Sequence, residues 1–201
     1  MKEQLRTIAR WLITPWGATV LVVAGYLAIT IHGLSDEPMA GPDMYVILGV
    51  LREEHSLGAL WSWFTGHWIQ GAEYYRPVIS LLHWADFMAW GENPWGWRLT
   101  NTLIVAATFP VLTWLCATAL RMPWAGPAAA VALTRLKPAA AMPEYPAWRT
   151  DAVCGLFLLL ATGAAIAYLK RGSRRRLLLA AGMFLLALVS KETALIWPAF
   201  I

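Results

Sequence analysis

LTNTLIVAATFPVLTWLCATAL, residues 99–120, decides the fold class: 22 consecutive residues without a charged side chain. A helix rises about 1.5 Å per residue, so about 20 residues cross the roughly 30 Å hydrocarbon core of a bilayer. The run therefore reads as a transmembrane helix, and two others match it. Trp11 to Ile31 gives 21 uncharged residues and Ala152 to Leu169 gives 18. Shorter apolar runs follow at 123–141, which contains Arg135 and Lys137, and at 177–195, which contains Lys191-Glu192. Pro77 to Trp90 is apolar too, but carries His83 and Asp86.

The composition agrees with this. Of 201 residues, 59% are hydrophobic and 14% charged, against about 25% charged in soluble domains. Disorder is excluded by the same figures, and two cysteines make no disulfide framework. A net charge of +4 would suit nucleic acid, but thirteen tryptophans and the uncharged runs point to lipid instead. The expected architecture is all-α: a polytopic transmembrane bundle of about five spans in one domain, with a long outer loop carrying interfacial helices.

Lys and Arg counts set the topology. The amino terminus carries Lys2, Arg6 and Arg10, and the loop 170–176 carries five cations and no acid. Both belong on the cytoplasmic side, so an even number of spans separates them. Spans at 11–31, 99–120, 123–141 and 152–169 satisfy this, with 177–195 as a fifth. Pro77–Trp90 then lies in the outer interface as an amphipathic helix. Keeping 77–90 as a span and demoting 123–141 also preserves the count. A cleaved signal peptide fits less well, because 21 apolar residues exceed a signal's core and no small-x-small site follows.

Residues 34–75 form the outer loop. It is acidic, with Asp36, Glu37, Asp43, Glu53, Glu54 and Glu73 against Arg52 alone. Asp43 begins a helix from Met44 to Glu54 whose apolar positions are Tyr45, Leu48 and Leu51, and Ser56 starts another over Leu57 to Ile69. Seven tryptophans fall between 61 and 97, so this region hugs the membrane surface, where an indole finds both an apolar bed and a partner for its N–H. Tyr74-Tyr75-Arg76-Pro77 closes the loop and places a guanidinium, suited to bidentate phosphate contact, at the outer interface. His83 and Asp86 stand three apart on one helix. No H-E-x-x-H or C-x-x-C pattern supports a metal site, so interfacial histidines are the simpler reading. Cys116 and Cys154 read as packing residues within spans.

Taken in order, several segments resemble the amino-terminal half of GT-C membrane glycosyltransferases, in particular the protein O-mannosyltransferase-like and tetratricopeptide-linked branch. They are Asp43-Met-Tyr-Val-Ile-Leu, Ser56-Leu-Gly-Ala-Leu-Trp, Tyr75-Arg76-Pro77-Val, Gly91-Glu92-Asn93-Pro94-Trp95-Gly96-Trp97-Arg98-Leu99-Thr100-Asn101, Glu144 with Trp148-Arg149-Thr150-Asp151, and Ser190-Lys191-Glu192-Thr193-Ala194. The resemblance implies transfer of a sugar from a polyprenyl-phosphate carrier to an acceptor on the outer membrane face, with inversion. It implies Asp43 as general base, with the literal acidic pair Asp36-Glu37 as second candidate, since Pro42 stands where the family has another acid. Arg76 would hold the departing phosphate with Tyr75 beside it, Arg149 would assist there, and Lys191 would either assist there or pair with Glu192. An Arg149–Asp151 ion pair is the simpler account of those two residues. Arg135 and Lys137 stand where the family is apolar.

The implied partners are the lipid-linked donor and membrane lipids, without nucleic acid. No motif names a cofactor or fixes a need for a divalent metal. The implied location is a bacterial inner membrane with the amino terminus in the cytoplasm. The apolar ending Trp197-Pro-Ala-Phe-Ile201 reads as the front portion of a longer enzyme. The competing class is a non-catalytic polytopic protein: a transporter subunit, an assembly factor or a degenerate remnant.

Overall fold

The computed structural model describes residues 4, 7, 10–39, 42–66 and 74–200. Lys2, Arg6, His67, Trp68 and Glu73 lie outside them. The chain forms α1 (Pro15–Gly33), α2 (Pro42–Glu53), α3 (Leu57–Thr65), α4 (Pro77–Trp90), α5 (Pro94–Leu115, prolonged by a π turn over Cys116–Leu120), α6 (Ala125–Arg135), α7 (Lys137–Ala141), α8 (Arg149–Arg171) and α9 (Arg174–Leu188). Turns of 3-10 helix cover Met142–Glu144, Pro146–Trp148 and Glu192–Phe200. The fold is all-helical, with no strand among the described residues.

Three helices are long and apolar enough to cross a membrane: Pro15–Gly33, Pro94–Leu120 and Pro146–Arg171, with mean hydropathies of 1.5, 2.0 and 2.2. They contain most of the three uncharged runs, and the starts of the first two are chemically marked. Thr14 accepts the Gly17 N–H at 3.1 Å ahead of Pro15, and Asn93 accepts the Trp95 N–H at 3.0 Å ahead of Pro94. A side-chain acceptor followed by proline suits a helix start, because the first amides lack carbonyl partners. Gly172, at φ 63°, ends α8 in the left-handed region that glycine adopts without strain.

The two shorter runs depart from the expectation. Over 123–141 the helix stops at Leu136, with ψ 125°. Pro138 has no N–H to donate and would clash with the carbonyl four residues back, so α6 cannot run through it. The 11 residues of α6 span about 16 Å, roughly half the hydrocarbon thickness. In the 177–195 run, α9 is a 15-residue helix that begins earlier, at Arg174, and ends at Leu188, giving about 22 Å before 3-10 turns take over.

Side-chain ties give the helix directions. The Thr19 and Thr113 hydroxyls meet at 2.6 Å, Tyr26 packs edge-on to Phe109, and Arg98 donates to the Ser35 and Glu37 carbonyls. These contacts make α1 antiparallel to α5. Arg149 bonds Asn101, while Lys170 bonds the Thr118 and Ala119 carbonyls, so α5 and α8 run parallel. Helix α6 returns alongside α5 and α1, and α9 folds back along α8, where Trp197 donates to Thr162 at 3.0 Å.

The bundle thus has two ends. One carries Arg10, Arg121, Lys170, Arg171 and Arg174 to Arg176, with no acid among the described residues. The other, the loop end, carries all ten described acidic residues. A core of Met44, Ile47, Leu51, Trp63, Ile79, Trp97 and Val153 packs α2, α3, α4, α5 and α8 together at the loop end. The buried face of α2 is Met44, Ile47 and Leu51, whereas Tyr45 is 69% exposed. The expected Tyr45-Leu48-Leu51 stripe is thereby corrected by one position at its start.

Candidate functional site at the loop end

Helix α4 has the bounds read from sequence, but its polar residues face inward. His83 and Asp86 are buried together with Ile79 and Ser80, so the reading of His83 as an interfacial histidine gives way to a packed one. Asp86 sits in the middle of a polar cluster. Arg149, fully buried, donates through Nη2 to Asp86 Oδ2 at 2.6 Å and through Nε to Asn101 Oδ1 at 3.1 Å. The Thr100 hydroxyl donates to Asp86 Oδ1 at 2.7 Å. Asn101 in turn donates to the Met142 and Tyr145 carbonyls at 2.9 and 3.2 Å. Those carbonyls belong to the irregular link between α7 and α8, where backbone groups lack helical partners and must be satisfied from outside.

The Arg149 guanidinium also lies 5.4 Å from the Trp97 ring, on which His83 stacks. Burial, aided by Arg149, pushes the His83 imidazole well below its ordinary pKa, so the ring is neutral. Burial pushes Asp86 upward, while Arg149 and Thr100 draw it back.

The proposed phosphate-binding residues form two neighbouring pairs. Arg76, only 8% exposed, clasps Glu192 through Nε at 3.0 Å and Nη2 at 2.5 and 2.7 Å, and its guanidinium lies 4.4 Å from the Tyr74 ring. The clasp holds the Glu192 carboxyl below the usual carboxylate range. Lys191, the next residue, pairs with Asp151. The Arg149–Asp151 pairing is therefore corrected: Arg149 takes Asp86 and Asp151 takes Lys191. Tyr75 is half exposed and its hydroxyl donates to the Phe64 carbonyl at 2.8 Å, which ties α3 to the start of α4.

The candidate bases stand apart from these pairs. Asp43, in the first turn of α2, is exposed. Asp36 and Glu37 are exposed as well, and it is the Glu37 carbonyl, not its carboxylate, that Arg98 holds. Arg98 completes its coordination with Glu144 at 3.0 Å. No protein-family model, curated protein or solved structure matches the chain.

A groove of about 630 Å³ runs beneath the second pair. It is lined almost wholly by apolar side chains of α5, α6 and α8, among them Leu112, Leu133, Leu156 and Leu159, with Trp197 closing one side and Asp151 at its loop-end mouth. No group of three or more potential metal ligands occurs among the described residues.

Three pairings were not read from the sequence: Asp86 and Asn101 with Arg149, and Glu192 with Arg76 in place of the expected Lys191. Asp86 had left a signal, because an acid within an apolar helix is costly unless paired or functional. Its partner is 63 residues away, and nothing in local spacing identifies it.

Proposed function

We propose that the chain is the donor-binding part of a membrane glycosyltransferase of GT-C type that uses a polyprenyl-phosphate sugar. The observation that carries this reading is the apolar groove opening at Asp151, whose partner Lys191 is followed by Glu192 and so by Arg76. A prenyl chain needs an apolar trough, and its phosphate needs cations at one end of it.

In this reading the acceptor hydroxyl attacks the anomeric carbon, the bond from that carbon to the phosphate oxygen breaks with inversion, and the prenyl phosphate leaves. Arg76 and Lys191 take up the charge of the leaving phosphate. A carboxylate takes the acceptor's proton, and Asp43 is assigned that role. Three observations support the arrangement: Met44 beside Asp43, Ile79 shortly after Arg76, and Val153 shortly after Asp151 all share one core. Asp43 itself remains exposed. The five-span topology, with α6 and α9 as short crossings and the basic end in the cytoplasm, belongs to this proposal.

One observation favours the second reading, a non-catalytic membrane protein. Each of Arg76, Arg149 and Lys191 is already neutralised by an acid of the same chain, as structural ion pairs are.

The test uses the chain in proteoliposomes with radiolabelled polyprenyl-phosphate mannose and a hydroxyl-bearing acceptor peptide, reading binding and release of prenyl phosphate separately. The transferase reading expects Asp43→Asn to lower turnover by about 100-fold or more with binding retained, and Arg76→Gln to weaken binding. Unchanged turnover in Asp43→Asn transfers the base role to Asp36 or Glu37. Absence of both binding and turnover in the wild type selects the non-catalytic reading.

A further inference from the structure

At the loop end, five cations each hold an acid: Arg52 with Glu92, Arg76 with Glu192, Arg98 with Glu144, Arg149 with Asp86 and Lys191 with Asp151. Two others at that end do not. Arg135, the last residue of α6, and Lys137, the first of α7, are both exposed, and neither makes an ion pair or side-chain hydrogen bond among the described residues. Two exposed positive charges two residues apart are placed to meet a negative group from outside the chain.

Arg135 also lines a second groove, of about 360 Å³, on the opposite face of α6 from the first. Its walls are Leu21, Gly25, Tyr26 and Ile29 of α1 and Val131 and Arg135 of α6. The α1 wall is apolar except for the Tyr26 and Thr30 hydroxyls, and Gly25 leaves a notch in it: a Cβ built there meets nothing within 4 Å. The groove runs along a membrane-length helix and has its charge at one end only, next to the last turn of α1. That polarity, an apolar trough with Arg135 at its head and Lys137 two residues further along the chain, is the shape of a single lipid chain beneath a phosphate.

We propose that the α1–α6 groove binds an anionic glycerophospholipid of the surrounding leaflet, an acyl chain lying over Gly25 and Ile29 and the phosphodiester held by Arg135 and Lys137. A guanidinium is always charged and meets two phosphate oxygens at once, and the neighbouring ammonium adds a second point charge. Free phosphate lacks any use for the α1 wall, so the wall distinguishes the two ligands. The site is separate from the groove at Asp151 and does not depend on the transferase reading.

The test is native mass spectrometry of the full chain released from nanodiscs of equimolar phosphatidylglycerol and phosphatidylcholine, with far-UV circular dichroism to verify helix content. The wild type is expected to retain a phosphatidylglycerol adduct in preference to phosphatidylcholine. Replacing both cations, Arg135→Gln with Lys137→Gln, is expected to lower that preference by on the order of tenfold. Gly25→Leu adds bulk at the notch, where a Cβ has open space, and is expected to lower retention of the lipid while the cations and the helix content stay intact. Arg174→Gln with Arg175→Gln, at the opposite end, is expected to leave this adduct in place. The proposal is overturned by a wild type without preference, by an adduct that survives both Gly25→Leu and the loss of Arg135 and Lys137, or by one that disappears with Arg174 and Arg175. Inorganic phosphate at millimolar concentration competing the adduct away from the wild type and from Gly25→Leu alike also overturns it, since the acyl groove then contributes nothing.

Discussion

Removing the carboxylate of Asp86 leaves the Arg149 charge stranded. Arg149 is fully buried and the Asp86 side chain is 6% exposed, so water cannot replace the missing partner. Asn101 Oδ1 and the face of Trp97 remain, but neither carries charge. Breaking a buried pair on one side costs about 3–5 kcal/mol, against a total stability of about 5–15 kcal/mol for a typical domain. Asp86→Ala is therefore expected to lose about a fifth of the stability or more.

Replacing both members by apolar residues, Asp86→Leu with Arg149→Met, removes the stranded charge together with the pair. This double variant is expected to be within about 1.5 kcal/mol of the wild type, because such exchanges are often neutral or stabilising. The assay is SDS-driven unfolding in mixed micelles, followed by intrinsic fluorescence, for which the thirteen tryptophans supply ample signal. A loss below about 0.5 kcal/mol in Asp86→Ala would refute the reasoning, since surface-like behaviour of that size contradicts a buried charge pair. Additive losses in the double variant would refute it as well, because coupled partners cannot contribute independently.

Other outcomes follow from the same contacts. Glu192 has its folded pKa depressed by the Arg76 clasp. The clasp's stability is thus present above the ordinary glutamate value of 4.5 and is lost as pH falls through the lower folded value; an acid titration of unfolding midpoints should show this step in the wild type and not in Glu192→Gln. Gly163→Val would drive a Cβ into the Trp114 indole, which lies directly against that glycine; overpacking of this kind costs about 1–3 kcal/mol, readable as a lowered unfolding midpoint. Asn93→Ala removes the cap on the first amides of α5 and is expected to cost about 1 kcal/mol, while Asn93→Asp retains most of it.

Much of this architecture is legible in the amino-acid order, and the reasons are local. A charge-free run of sufficient length has one stable arrangement in hydrocarbon, and a cap such as Asn93-Pro94 marks its start within the few residues it touches. The bounds of α4 at Pro77 and Trp90 are equally local, as is the start of α3 at Ser56, whose hydroxyl accepts the Ala59 N–H. What was not legible depends on helix rotation and on distant partners. Tyr45 and Met44 are equally apolar on paper, and only the position of Trp63 and Ile79 decides which is buried. The partners Arg76 and Glu192 lie 116 residues apart, and their meeting requires α4, α8 and α9 all to be in place. The break at Leu136 was readable from Pro138, whose missing N–H outweighs the alanine-rich sequence around it.

The separation of charge between the two ends of the bundle has an energetic corollary. One end holds seven described cations and no described acid, the other ten acids against seven cations. In an energised membrane each unit charge is worth about 2.3 kcal/mol per 100 mV. A potential negative on the side of the seven cations therefore holds the molecule in one sense of insertion. Turning it over would cost more than unfolding an ordinary domain, so the electric field itself acts as a lock on orientation.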